Sequence, residues 1–380
     1  MRRTRYQHGY IYAENGWWYV RYRDHVVQAD GSIKRAQIAR RLAPRDDQHR
    51  TESSVKPLAQ DFLADVNAGA SKDEPPMTIG QFVETKYLPF VKENKRASTH
   101  KGYRHIYENH LQSRIRRKLL RDFKPSDGEL LMHTLARVTK LTKMSLRHIK
   151  AFLSGVFTHA RRYGFLNTGN PMHGVSIPGG RTGEETYAYS LDEITKMLMV
   201  LRGSARAVVA TAAFTGLRRG ELRGLDWADY HDGALHVSRS VWEKHVYEPK
   251  TPRSKAPVPV IAQLAGILEE HRLLQGNPST GRIFRYDDDR GLNLDSLART
   301  YIAPTLKTAG LEWHGWHAFR RGLATNLYEL GVQDKIIQAI LRHEQLATTT
   351  NIYIKARQEK TVAALRDTLE RALNQPATVN

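Results

Sequence analysis

Apolar and polar positions repeat with different periods along this chain, and each period predicts a different kind of element. Residues 10–12, 17–23 and about 33–38 are predicted to be β-strands, and the side chains of residues 17–23 divide between two faces with the two-residue period of a strand. The dipeptide Asn15-Gly16 separates the first two runs and favours a tight hairpin turn. Residues 1–50 are therefore predicted to form a small three-stranded sheet.

Alternation divides the side chains of the second predicted strand between two faces. Trp18, Val20 and Tyr22 share one face. The opposite face carries aromatic and arginine side chains, namely Trp17, Tyr19, Arg21 and Arg23. A thin basic sheet decorated in this way suits a DNA groove, and the alternative is an ordinary solvated face.

A helical period replaces the alternation after residue 50. Residues 51–76 are predicted to be a helical connector. Residues 77–170 are predicted to be an all-helical domain, with helices at 78–92, 98–113, 127–138 and 142–163. The last helix has one apolar stripe, made of Leu146, Ile149, Leu153, Val156 and Ala160. Thr78 is the predicted N-cap of the first helix, and Gly164 ends the last.

Residues 171–187 are rich in Gly, Pro and Thr and have no period, so an interdomain linker is predicted there. Residues 188–360 then mix helices with short strands, predicted at 233–237 and 256–260. An amphipathic helix is expected at 332–341, with an apolar stripe of Val332, Ile336, Ile337 and Ile340. Residues 361–380 are predicted to form a C-terminal helix and tail. The fold class is thus mainly α, with a small sheet, a helical domain and an α+β domain.

Charge identifies the kind of partner. The net charge is +20, and residues 101–150 alone hold 13 Lys and Arg against 4 Asp and Glu. Such a surplus favours a polyanion, and a basic helical domain favours a DNA clamp over a merely solvated bundle. The chain has no cysteine, which excludes disulfides and thiolate metal sites. Without a long apolar run or a signal peptide, the expectation is an intracellular protein with no membrane partner.

One stretch concentrates chemistry. His317 and Arg320 are three residues apart in a predicted helix, so both side chains leave the same face. His343 follows the next helix, and Tyr353 comes ten residues later. Further back, TGLRRGEL supplies Arg218 directly after an apolar helix.

The blocks TGLRRGEL, HAFR and LRH and the downstream tyrosine resemble the catalytic signature of the tyrosine recombinase (phage integrase) family. Four blocks in the right order, over roughly residues 211–357, are far more specific than any one alone. The sequence departs from the usual pattern twice. Arg342 stands where the family usually has Gly, and many members place the tyrosine one residue nearer the histidine.

The resemblance implies a metal-free and cofactor-free active site. Arg218 and Arg320 would grip the non-bridging phosphate oxygens, and Tyr353 would attack phosphorus. His317 and His343 would add hydrogen bonds, with His317 also a candidate acceptor of the phenol proton. Lys250 matches the family's general acid, although Lys244 and Lys255 lie in the same loop. Glu221 is expected to orient neighbouring groups.

Metal ligation by His314, His317 and His343 is the alternative for the histidines. It is disfavoured because two arginines beside them would repel a cation.

The resemblance therefore implies a site-specific DNA recombinase, an integrase of a phage or other mobile element, acting in a bacterial cytoplasm at the nucleoid. A type IB topoisomerase-like nicking enzyme and a non-catalytic DNA-binding regulator are the alternatives. The implied partners are core-type and arm-type double-stranded DNA, three further copies in a tetramer, and a directionality factor or host DNA-bending protein. The residues predicted to touch DNA are Trp17, Tyr19, Arg21, Arg23, Arg116, Arg117, Lys118, Lys143 and Arg147.

Overall fold

The computed structural model describes residues 6–68, 77–179, 181, 186–249, 252–286, 290–342 and 344–345. The chain divides into two compact units, Met1–Glu184 and Glu185–Asn380. Helices dominate both units, and the first also holds the N-terminal sheet, so the predicted fold class is confirmed. Within the described residues, every helix is too short or too polar to cross a membrane.

The first unit begins with an antiparallel sheet of order β1-β2-β3. Its strands are β1 (Tyr10–Glu14), β2 (Trp17–Val27) and β3 (Ile33–Pro44). Asn15 and Gly16 both have positive φ, at 49° and 75°, which is the backbone of the predicted hairpin turn. The third strand continues beyond its predicted end at Ile38, because β2 is long enough to pair with it as far as Pro44.

Helix α1 (Glu52–Ala68) covers one face of this sheet. Trp18 packs with Val55, and Val20 packs with Ala59 and Leu63. The described part of the predicted connector, residues 51–68, is helical from Glu52, and it also completes the core of the small sheet. A three-stranded sheet needs such a cover because its apolar face would otherwise remain in water.

The remainder of the first unit is helical. Its helices are α2 (Ile79–Phe82), α3 (Leu88–Asn94), α4 (Ala97–Ile106), α5 (Gln112–Ile115), α6 (Pro125–Val138) and α7 (Lys143–Arg162). π-Helical turns at Val83–Tyr87 and Tyr107–Leu111 join α2 to α3 and α4 to α5. Thr78 caps α2 reciprocally with Gln81, as predicted for an N-cap. The apolar stripe predicted on α7 is fully buried.

The predicted linker begins too early. Met172 and Val175 fall within residues 171–187, yet both are buried in the core of the helical domain. Asn170 fixes this segment by donating to the Ser154 carbonyl at 2.9 Å. Because the segment has no regular period, the sequence pattern did not predict that these two apolar side chains are buried.

The second unit contains helices around two small sheets. Its helices are α8 (Leu191–Val200), α9 (Gly203–Thr215), α10 (Arg219–Leu222), α11 (Ala262–Leu274), α12 (Leu294–Leu297), α13 (Ala303–Thr308), α14 (Trp316–Glu329) and α15 (Asp334–Leu341). Its strands are β4 (Tyr230–His231), β5 (Ala234–Leu235), β6 (Ser240–Trp242), β7 (His245–Tyr247) and β8 (Val258–Pro259). One sheet has the order β4-β5-β8, and β6-β7 is a separate hairpin that the pattern did not predict.

Helix α9 lies at the centre of this unit, with nearly every side chain buried. Helix α15 ends beside it, but its predicted stripe needs a correction. Ile337 and Leu341 are fully buried, whereas Ile336 is 49 % exposed. These two buried residues are four apart and define the contact line, so Ile336 is rotated onto the flank of the helix.

Candidate active site

Arg320 joins three of the four sequence blocks. It lies in the second turn of α14 and is only 1 % exposed. Its Nη1 donates to the carbonyl of Gly216 at 2.6 Å, and its Nη2 donates to the carbonyl of Leu341. Gly216 precedes Arg218 by two residues, and Leu341 precedes His343 by two. The HAFR arginine therefore fixes the chain beside both other blocks.

Gly216 permits this close approach. It ends α9 in the left-handed region, with φ of 61°. A Cβ atom here would lie 2.9 Å from Cδ2 of Leu341 and 3.1 Å from Cδ2 of Leu323. Both the backbone angle and the space therefore require glycine.

Arg218 is held by Glu221 at the start of α10. Its backbone N–H donates to Glu221 Oε2 at 2.9 Å, and its Nη1 donates to Oε1 at 2.9 Å. Glu221 is 3 % exposed, whereas 40 % of the Arg218 side chain is accessible. The carboxylate thus holds an accessible guanidinium, and the supporting role of Glu221 stays a prediction.

Arg342 is a member of the site that the sequence reasoning did not assign a role. It follows α15 and is 3 % exposed. Its Nη2 donates to Glu221 Oε2 at 2.7 Å, and its Nη1 donates to the carbonyl of Ser254 at 2.7 Å. The signal in the sequence was the arginine at a position where the family usually has Gly.

The turn Pro252–Lys255 is bonded to the chain on both sides of residue 343. Ser254 accepts from Arg342, and Arg253 Nη1 donates to the carbonyl of Glu344 at 3.0 Å. Lys255, one alternative for the general acid, forms an ion pair with Glu248 at 2.9 Å. The predicted residues Lys250, His343 and Tyr353 lie outside the described residues, as does the segment 361–380.

His317 occupies the first turn of α14 and is exposed. Desolvation, together with the positive charges of Arg320, Arg321 and Arg218, lowers the pKa of its imidazole to about 4. The ring is therefore neutral near pH 7. A neutral imidazole can accept a proton, which agrees with the role that the resemblance implies for His317.

The electrostatics favour an anion. Burial and then the charge of Arg218 lower the pKa of the Arg320 guanidinium. Burial opposes ionisation of Glu221, but the charges of Arg342 and Arg218 outweigh it and lower its pKa. Arg218 and Arg342 therefore bind one carboxylate, and the charge of Arg320 acts on the same site, so the surplus positive charge is what a phosphodiester would neutralise.

Among the described residues, one other group brings three potential metal ligands within 4.8 Å: His231, Asp232 and His236. The two imidazole rings stack with centroids 4.0 Å apart and planes inclined by 5°. Their nitrogen lone pairs lie in parallel planes, so they do not converge on one ion in this arrangement. His314, another possible metal ligand by sequence, stacks on Tyr187 with the two ring centroids 3.6 Å apart.

Comparison with known proteins finds a phage integrase domain and tyrosine recombinase relatives. Residues 189–360 match the model of the phage integrase family. Two relatives extend the similarity across most of the chain. A "Tyrosine recombinase XerC-like" protein of Caldanaerobacter subterraneus subsp. tengcongensis is 26% identical over 338 residues, covering 80% of this chain and 86% of the relative. An "Integrase" of Streptomyces ambofaciens is 21% identical, covering 80% of this chain and 83% of the relative.

Residues 189–360 match a phage integrase family domain, and the similarity to tyrosine recombinases extends across most of the chain. The chain is a tyrosine-type site-specific DNA recombinase, and the topoisomerase-like and non-catalytic alternatives are not favoured.

Solved structures show the same fold. The Tn1549 transposon integrase in complex with transposon right end DNA has a TM-score of 0.61 at 18% identity, covering 76% of this recombinase and 100% of that chain. A lambda integrase dimer bound to a COC′ core site has a TM-score of 0.59 at 19% identity, covering 90% of this recombinase and 94% of that chain.

The DNA-contact residues predicted in the helical domain lie on its surface, with one difference. Arg116, Arg117, Lys143 and Arg147 are exposed. Lys118 is half-buried, and its Nζ forms an ion pair with Asp127 at 2.5 Å. Its charge is therefore partly satisfied within the helical domain.

The open face of the N-terminal sheet is larger than the predicted set of Trp17, Tyr19, Arg21 and Arg23. Strand pairing adds Tyr12 beside Tyr19 from β1, and Arg41 from β3. Arg21 lies over the Tyr12 ring at 4.7 Å, and Arg41 lies over the Trp17 ring at 4.4 Å. A single-strand pattern could not find these neighbours, because they depend on the register of pairing.

Proposed function

We propose that this recombinase cuts and rejoins double-stranded DNA through a 3′-phosphotyrosine formed by Tyr353, and thereby integrates or excises a mobile element. The observation that carries the proposal is the arginine cluster. Arg218 and Arg342 bind one buried carboxylate, the charge of Arg320 acts on the same site, and Arg218 keeps an accessible side chain. A built site with surplus positive charge fits the single negative charge of a phosphodiester.

The proposed cleavage step exchanges one phosphate ester bond for another. The phenol oxygen of Tyr353 bonds to phosphorus while the bond from phosphorus to the 5′ oxygen breaks. The phenol proton passes to the neutral His317, and Lys250 protonates the departing 5′ oxygen. His343 donates a hydrogen bond to a phosphate oxygen. Rejoining is the reverse reaction with a different 5′-hydroxyl, so the ester conserves the bond energy.

Transition-state stabilisation is assigned to Arg218 and Arg320. Charge builds on the non-bridging oxygens as the phosphorus becomes five-coordinate, and preorganised donors stabilise it without a reorganisation cost. The bonds of Arg320 to Gly216 and Leu341 supply that preorganisation, since they fix its guanidinium before substrate arrives.

Two further modules are proposed to bind the DNA. The open face of the N-terminal sheet, with its stacked aromatic and arginine side chains, is suited to an arm-type site. The exposed cations of the helical domain, Arg116, Arg117, Lys143 and Arg147, are suited to the phosphates of a core-type site. The predicted domain limits, 1–50, 51–76, 77–170, 171–187 and 188–360, remain part of this proposal, with the helical domain extended to Val175 at the expense of the linker.

Assembly into a tetramer is proposed because exchange between two duplexes requires four strand cleavages. A lambda integrase tetramer bound to a Holliday junction shares the fold, with a TM-score of 0.55. The amphipathic segment 361–380 is the proposed contact between protomers. A directionality factor or a host DNA-bending protein would bias the reaction, and the DNA substrate would place it at the nucleoid of a bacterial host.

A suicide substrate tests the proposal. A nicked core duplex loses its short 5′-hydroxyl fragment after cleavage, so the covalent complex accumulates and is seen as a shifted band in a denaturing gel. Wild type and the control Tyr301→Phe should form this adduct. Tyr353→Phe should form none while binding the duplex with unchanged affinity, because only the phenol oxygen is removed. Adducts from Tyr353→Phe would show that another residue is the nucleophile.

A further inference from the structure

Arg342 adopts a backbone conformation that an L-amino acid rarely takes. It caps α15 in the left-handed region with φ of 55°. Glycine is the residue that such a C-terminal position favours, because it has no Cβ to crowd the following carbonyl. An arginine here carries backbone strain, and the contacts of its side chain have to offset that strain.

Those contacts connect three segments that are far apart in the sequence. One end of the guanidinium binds Glu221, 121 residues earlier, at 2.7 Å. The other end binds the carbonyl of Ser254, 88 residues earlier, at 2.7 Å. All three residues are buried, so water does not compete for these bonds.

Glu221 is consequently held from two sides. Its Oε2 accepts from Arg342, and its Oε1 accepts from the Nη1 of Arg218 at 2.9 Å. A carboxylate anchored at one oxygen cannot rotate away from the guanidinium at the other. The orientation of Arg218 therefore depends on Arg342, although the two arginines share only the carboxylate.

We propose that Arg342 is a positioning residue for DNA cleavage: it holds Arg218 through Glu221 and fixes the turn Pro252–Lys255 to the end of α15. This inference rests on the proposed function, in which Arg218 grips the scissile phosphate. The turn begins two residues after Lys250 in the sequence, and Glu221 lies three residues after Arg218, so Arg342 binds the chain near both proposed groups.

The experiment measures single-turnover adduct formation by full-length protein on the nicked suicide duplex. Arg342→Gly removes the guanidinium and also relieves the backbone strain, so it favours a folded variant. Arg206→Ala is the matched control, since it removes one cation of an exposed ion pair with Glu270 in the same unit. We expect Arg342→Gly to cleave about 10-fold to 100-fold more slowly, with unchanged DNA affinity, because small misplacements cost about that much. The control should match wild type.

A second substrate separates positioning from a general loss of structure. A methylphosphonate at the scissile position replaces one charged oxygen with a methyl group, so it needs less neutralisation by Arg218. The defect of Arg342→Gly should be several-fold smaller on this substrate than on the phosphate. A merely structural role would slow both substrates by the same factor.

Two variants keep the test decisive if Arg342→Gly does not fold. Arg342→Lys keeps the charge, but one ammonium group cannot span both Ser254 and Glu221. Glu221→Gln keeps the shape and removes the shared charge. Both should show the same substrate-dependent defect. Wild-type cleavage rates in the folded variants, or equal defects on the two substrates, would overturn the inference. Failure of wild type to form any adduct would instead refute the proposed function.

Discussion

Gly216 offers a quantitative test of how the site is assembled. The prediction concerns Gly216→Ala, compared with Gly233→Ala. Both glycines have left-handed backbones, with φ of 61° and 66°. A Cβ at Gly216 would meet Leu341 at 2.9 Å and Leu323 at 3.1 Å, whereas at Gly233 nothing lies within 4 Å. The pair therefore separates backbone strain from crowding.

The expected losses of unfolding free energy follow from backbone strain and from crowding. An alanine in the left-handed region costs about 1–2 kcal/mol, and this applies at both positions. Crowding in a packed core adds about 1–3 kcal/mol, and this applies only at Gly216. We therefore expect Gly216→Ala to lower the free energy of unfolding by about 2–5 kcal/mol, and Gly233→Ala by about 1–2 kcal/mol.

Urea denaturation, followed by circular dichroism and tryptophan fluorescence, measures the stability difference. Gly216→Ala should also slow adduct formation in the fraction that remains folded, because the Gly216 carbonyl accepts from Arg320 and the chain reaches Arg218 two residues later. Gly233→Ala should cleave at the wild-type rate. The reasoning fails if both variants are equally destabilised, or if a folded Gly216→Ala protein cleaves normally.

Three further predictions concern metal, pH and the N-terminal module. Cleavage should persist in excess EDTA, since arginines neutralise the phosphate; loss of cleavage restored by Mg²⁺ or Zn²⁺ would contradict this. The pKa of His317 falls from 6.5 to about 4 on folding, so the unfolded chain binds the proton first as the pH drops. The urea midpoint should therefore decline between pH 6.5 and 4 more steeply for wild type than for His317→Gln. Parallel plots of midpoint against pH for the two proteins would contradict this pKa shift. Deleting residues 1–70 should spare cleavage of a short core duplex but weaken binding to longer attachment DNA; identical footprints of both proteins would rule out a separate arm site.

Local features of the fold could be predicted from the sequence because short-range interactions produce them. Asn15-Gly16 forms its hairpin turn with the two positive φ angles that these residues tolerate. Thr78 and Ser190 each bond to the residue three positions later, and so begin their helices. The order of the TGLRRGEL, HAFR and LRH blocks indicated the family, since the chemistry requires those groups wherever the chain places them.

Tertiary structure decided what lies between these elements. The connector helix α1 became the cover of a sheet, Ile336 turned to the surface, and Arg41 joined the open face of the sheet through strand register. Arg342 is the sharpest case. Its sequence position showed only an unusual residue at a helix end, because its partners lie 88 and 121 residues away. The bonds of a buried guanidinium depend on which distant backbone and carboxylate groups the packing brings within reach, and a linear pattern does not contain those distances.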